Sequence, residues 1–187
     1  FNIEGNATLG GVDIFVKGKK NYKDKNKFIS KYNVSGKIDE NVIEKLVNLK
    51  VTPYIKGPIE FNASYLIFQG NKEKIKISNK LKETELNIPA LGITKYKGTV
   101  ATADIDFNFS NKKLKEIKII NYKQGNNEIN GLVKLSKEFK PYKSLELNLM
   151  KDDKKISIKV LRNKDLNNLD LKGDYFDFSK ILKENFF

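Results

Sequence analysis

A mainly β chain is predicted, an antiparallel meander with one mid-chain amphipathic helix and a short C-terminal helix. Three observations predict it. The stretch Leu86–Phe109 ends in unbroken alternation, with Ala101, Ala103, Ile105, Phe107 and Phe109 on one parity and Thr102, Asp104, Asp106 and Asn108 on the other. Period-two alternation of this length makes a strand with one apolar and one wet face. Similar short runs recur along the chain, separated by Gly, Asn and Asp turn signals. Only one run before residue 170 has helical spacing.

Phe1–Thr8 and Val12–Lys17 read as strands joined at Gly10-Gly11, a hairpin signal. A polar loop over 21–27 leads to a strand over Phe28–Ile38. Asp39 is a good N-cap. Behind it Val42, Ile43, Leu46, Val47 and Leu49 fall three and four apart on one face, predicting a helix over 39–49. Glu40 and Glu44 lie on its opposite, solvated side. So short a helix must dock its apolar face to persist. Pro53 and Gly57-Pro58 break the chain before a strand over Ile59–Gln69. Gly70-Asn71 turns it into Lys74–Asn79. Residues 86–100, interrupted by Pro89, Gly92 and Gly98, read as a kinked entry onto the long strand ending at Phe109. Five strands follow, over Leu114–Tyr122, Glu128–Leu135, Ser144–Met150, Lys155–Leu161 and Asn168–Gly173. Phe178, Ile181 and Leu182 give residues 176–184 the pattern of a short helix. The segments 1–38, 39–49, 59–173 and 176–184 together form one unit. The chain opens at Phe1 with neither an initiator Met nor a signal-like start, so it is expected to be a piece of a longer polypeptide.

Hydrophobic residues make up 39% and charged residues 32%, the balance of a folded globular chain. No apolar run reaches the ~18 residues of a membrane span. The formal charge of +13 fits an anionic partner. It fits an AT-rich coding bias equally, since lysine, asparagine and isoleucine are all abundant. Arg162 is the only arginine. Arginine is the residue of bidentate phosphate recognition, so specific nucleic-acid readout is not expected. With no Cys and no His, disulfides, thiolate nucleophiles, His general bases and ordinary zinc sites are excluded.

No glycine-rich phosphate cradle occurs. Asp104 and Asp106 share one strand face, a geometry open to a cation, but they are also the solvated side opposite Ile105 and Phe107, which is the preferred reading. Asp152-Asp153 reads as a turn. The Phe residues stand mostly on the apolar parity rather than among lysines, which favours a core or groove over a base-stacking platform. No catalytic residue, cofactor or metal site is therefore expected, and the chain is not read as an enzyme.

Three stretches together resemble the large AsmA-like envelope proteins of the YhdP type. In LNIPALGITKYKGTVATADIDFNF, the residues Pro89, Leu91, Gly92, Lys95, Gly98 and Ala101 stand at the family's spacing, with Ile93 where an aromatic is common. NLDLKGDYFDFSKIL is similar through Gly173, Phe176, Asp177 and Ile181. VTPYIKGPIEFNASY, with its Gly-Pro step, resembles the segment between them and the helix. The resemblance implies a bacterial envelope protein in the periplasm, anchored to the inner membrane by a helix outside this fragment. It implies a curled, twisted antiparallel β-sheet forming an open hydrophobic groove, along which phospholipid acyl chains pass between inner and outer membranes. Phospholipid and, through the parent chain, the two membranes are the expected partners. The candidate groove residues on the apolar parity are Phe61, Ala63, Tyr65, Ile105, Phe107, Phe109, Ile117, Ile119, Leu145, Leu147, Ile156 and Ile158. The alternatives are a closed β-sandwich or barrel binding a polyanion, glycan or nucleic acid, through lysines, and a structural envelope module.

Overall fold

The computed structural model describes residues 2–21, 28–47, 50–136, 142–151, 153–163 and 167–173. The expected helix over 176–184 lies outside them. In chain order the elements are β1 (Asn2–Leu9), β2 (Val12–Lys20), β3 (Ser30–Ile38), α1 (Glu40–Val47), β4 (Ile55–Lys56), β5 (Ile59–Phe68) and β6 (Lys72–Lys80). Next come β7 (Glu85–Ile88), a single 3-10 turn at Pro89–Leu91, β8 (Ile93–Lys95), β9 (Thr102–Ser110) and β10 (Lys113–Gln124). The last four strands are β11 (Asn127–Lys134), β12 (Ser144–Lys151), β13 (Lys154–Arg162) and β14 (Asn167–Gly173).

Eleven strands form one antiparallel sheet in the order β1-β2-β3-β5-β6-β9-β10-β11-β12-β13-β14. The predicted meander is present, and the sheet is not closed: β1 and β14 are its two ends. The alternative of a closed sandwich or barrel is thereby corrected. Tight turns fix the register. Gly10 and Gly11 both have positive φ, as does the pair Gly70 and Asn71, the backbone that two-residue hairpins require. β10 carries irregularities against both of its neighbours, between Leu114 and Glu116 and around Ile119–Tyr122. Such bulges bend a strand and increase its twist, so they curl the sheet near its middle.

Two insertions interrupt the meander. The segment α1–β4 lies between β3 and β5, and β7–β8 lies between β6 and β9. Ile38 pairs with Ile59, and Lys80 pairs with both Glu60 and Thr102, so both insertions leave the sheet from the same end. There β4, β7 and β8 join in a second, three-stranded sheet that caps this end. The long strand ending at Phe109 is present as β9, and the reading of 86–100 as a kinked entry onto it is corrected. Pro89 starts a 3-10 turn, and Gly92, at φ 62°, closes it by donating its N–H to Pro89 O at 2.9 Å. The chain therefore reverses into β8, and only Thr102–Ser110 enters the large sheet.

The helix begins as expected, with Asp39 Oδ1 accepting the Val42 N–H at 3.0 Å. Its buried Val42 packs where the β1–β2 turn approaches: a Cβ on Gly10 would stand 3.2 Å from Val42 Cγ1. Glu40 and Glu44 are not simply solvated. Glu40 Oε2 accepts the Gly57 N–H at 2.7 Å, and Glu44 Oε1 accepts those of Val51 and Thr52, both at 2.8 Å. These bonds satisfy backbone donors that the irregular 50–58 segment leaves over. Cap and sheet share one hydrophobic cluster. It runs from Ile59, Leu81 and Leu86 to Tyr122, Leu149 and Ile156, with Ile55, Leu91 and Ile93 packed against it. Two bonds pin the cap to the sheet: Lys151 Nζ donates to Gly92 O at 2.9 Å, and Gln124 Nε2 to Thr94 O at 3.2 Å.

Candidate functional site

Register turns the separate apolar parities into continuous rows across the sheet. The central row begins Gly5, Val16, Val34, Ala63, Ile77 and Ile105. It continues through Ile119, Gly131, Leu147, Ile158 and Leu171. Every position in it, on all eleven strands, is aliphatic or glycine. The row nearer the cap contains Phe61, Ala103, Tyr122, Ile129, Leu149 and Ile156. The row farther from the cap contains Tyr32, Tyr65, Ile75, Phe107, Ile117 and Leu145. At about 4.8 Å per strand the face runs roughly 48 Å along the rows, and the outer two rows stand about 14 Å apart.

All the candidate groove residues lie on this face. Phe61, Leu147, Ile156 and Ile158 are buried. Ala63, Tyr65, Ile105, Phe107, Phe109, Ile117, Ile119 and Leu145 are half-buried. The face is thus graded. Its cap-side row is mostly sealed from β5 to β13, while the central and far rows stay half-open from β2 to β11, apart from Gly18. Alternation identified the candidates but also reached Val16, Val34, Ile75, Ile77 and Leu171, which belong to the same rows. Only the pairing register reveals that.

The opposite face is polar, and in one row across the strands its charges alternate in sign. That row reads Lys76, Asp106, Lys118, Leu132, Glu146, Lys159 and Asp170. Lys159 pairs with Glu146 at 3.1 Å, and Lys74 reaches Asp106 diagonally at 2.5 Å. Asp106 is on the wet parity, yet it is buried rather than solvated. It sits between two lysine-bearing strands, and their stems cover it.

Two polar groups interrupt the expected division of faces. Lys95 in the cap is 1% exposed, and its Nζ donates to Thr84 O at 2.5 Å, Tyr96 O at 3.2 Å and Lys82 O at 3.4 Å. Burial lowers its pKa below the usual lysine value, against the opposing pull of Glu83 and Glu85. Glu73 lies on the apolar parity beyond the far row, paired in register with Ile67 and Phe109. It accepts a hydrogen bond from the Tyr65 hydroxyl. That bond, with burial second, holds the Tyr65 phenol up to about 12. Tyr65 stacks on Tyr32, with ring centroids 6.2 Å apart.

Among the described residues, no cluster of three acidic side chains is placed to hold a metal ion. Among them also, no helix is long and apolar enough to cross a membrane. What the arrangement offers chemically is a long aliphatic strip edged by tyrosine and a carboxylate. No family model, no curated protein and no solved structure matches the chain.

Proposed function

We propose that this chain binds phospholipid acyl chains along the apolar face and passes them across its strands, as a segment of an AsmA-like protein of the bacterial periplasm. In this reading the parent chain links the inner and outer membranes, and the segment supplies part of the route between them. One observation carries it: the central row stays aliphatic or glycine through eleven successive strands, yet between β2 and β11 it is only half-buried. A sheet that needed only a core would seal such a row. An acyl chain laid along it recovers about 0.8 kcal/mol for each CH₂ removed from water. Glycine at positions 5 and 131 keeps the strip low, and the cap walls its sealed side.

The test is mass spectrometry of lipid retained by the purified protein, wild type against Phe107→Asp. Phe107 is half-buried between Ile75 and Ile117 in register, so the carboxylate enters the open part of the strip. Retained lipid is expected to fall about tenfold, equivalent to roughly 1.4 kcal/mol of binding free energy, with an unchanged far-UV circular dichroism spectrum. Undiminished lipid in that variant, or none in the wild type, refutes the proposal.

A further inference from the structure

The half-open strip ends, on the side away from the cap, in a group its apolar neighbours do not account for. Glu73 is a carboxylate on the apolar parity of a chain whose formal charge is +13. Its register partners on that face are Ile67 and Phe109, and Ile75 follows it two residues along β6. The nearest lysine of the described residues in that row is Lys20, three strands away through Ser30 and Ile67, about 14 Å by strand spacing. On the opposite face Asp106, Glu146 and Asp170 are each paired with a lysine, while Glu60, Asp104, Glu116 and Glu128 form no ion pair among the described residues; what sets Glu73 apart is its place on the apolar parity. Among the described residues Glu73 forms no ion pair, and its side-chain hydrogen bond comes from Tyr65. A carboxylate has about four acceptor sites, so that bond leaves others open.

The tyrosines beside it are held in place. Tyr32 and Tyr65 stack with planes 27° apart. Gly18 on the adjoining strand makes the room: a Cβ there would stand 3.0 Å from Tyr32 Cδ1 and 2.6 Å from Ile3 Cγ1. A carboxylate held by one tyrosine hydroxyl, with a second tyrosine stacked on that ring, offers an organic ammonium a charge partner and aromatic surface nearby.

We propose that this rim reads a lipid headgroup, with Glu73, Tyr65 and Tyr32 receiving the amine of a zwitterionic phospholipid whose tails lie along the adjoining rows. The inference rests on the lipid reading of the face and adds its selectivity. The molecule's overall positive charge draws it toward anionic lipid surfaces at long range. The local acid acts the other way at contact, because an anionic headgroup without an amine meets Glu73 as a like charge.

The experiment incubates the purified chain with vesicles containing equal amounts of phosphatidylethanolamine and phosphatidylglycerol bearing the same acyl chains. The protein is re-isolated and its retained lipids are quantified by mass spectrometry. Wild type is expected to retain the ethanolamine lipid over the glycerol lipid about five- to tenfold, in the range of a partly desolvated ammonium–aromatic contact. Glu73→Gln is expected to bring that ratio to near unity, chiefly through loss of retained ethanolamine lipid, with an unchanged far-UV circular dichroism spectrum. Tyr65→Phe, which keeps the ring and removes the hydroxyl, is expected to keep most of the preference. Retained lipid with no headgroup preference in wild type, or a preference undiminished in Glu73→Gln, overturns this inference and leaves the acyl-chain reading standing. Absence of any retained lipid overturns both.

Discussion

Lys95→Met isolates what holds the cap together. The substitution keeps most of the side chain's length and removes the ammonium from the three carbonyls it joins. Those carbonyls are not equally dependent on it. Lys82 O also accepts the Gly98 N–H at 2.8 Å, and Tyr96 O accepts that of Thr99 at 3.2 Å. Thr84 O has the shortest of the three bonds, and Thr84 is fully buried. The cost therefore concentrates on one buried acceptor deprived of its donor, about 1–3 kcal/mol. Opposing it is the relief of no longer burying a cation, the effect that lowers the Lys95 pKa. The carbonyl term is expected to win at neutral pH, because Glu83 and Glu85 partly offset the burial of the charge, whereas the buried Thr84 carbonyl loses its short bond. Urea unfolding of wild type and variant measures the difference at the midpoint. Amide exchange should locate the loosening in 81–101 rather than in β11–β13. A variant as stable as wild type, or more stable, refutes the reasoning: the lysine would then be a burden the cap tolerates rather than its tie.

Glu73→Gln is expected to lower the Tyr65 ionisation from about 12 toward the ordinary tyrosine value of 10.0, followed by NMR of ring-labelled tyrosine. Tyr122, raised to about 12 by burial alone, should not move and serves as the internal control. Because the folded-state pKa of Tyr65 is the higher one, its contribution to stability is complete below pH 10 and is lost as pH rises through about 12; the variant should show less of this alkaline loss. Gly131→Ala places a Cβ 2.5 Å from Leu147 Cδ2 and 3.2 Å from Glu146 O, beside a buried leucine with little room to yield. Thermal unfolding should register about 1–3 kcal/mol of overpacking, and wild-type stability in this variant would contradict the close approach. Asp39→Ala removes the acceptor of the Val42 N–H and is expected to cost about 1 kcal/mol in denaturant unfolding.

The strands were legible because a sheet with one apolar side writes its period directly into the chain. Ala103, Ile105, Phe107 and Phe109 announce both the strand and the face, and tertiary contacts only had to agree. The cap was not legible for the opposite reason. β4 is two residues long, too short to show any period, and it pairs with β7 across a gap of about thirty positions. Pro89 and Gly92 signalled a kink, but whether a kink bends or reverses a strand depends on a partner supplied elsewhere. The polar exceptions share one cause. Glu40, Glu44, Lys95 and Asp106 are ordinary solvated types at ordinary positions, and each takes its role from a distant backbone donor, acceptor or lysine. Glu73 differs in that it did break the alternation of Ile75 and Ile77, and that break was a readable sign of something at the rim.

The order of the large sheet has a consequence for how the molecule assembles. Each strand pairs with the strands that immediately precede and follow it among the eleven, and no pairing skips over a third. Loop closure is thus charged in small instalments, and growth can proceed from one hairpin by adding a strand at a time. Both detours start and finish at one margin of the ribbon, so lengthening or shortening them would leave every pairing downstream in step. Such an architecture tolerates change in its cap while holding its long oily strip in alignment.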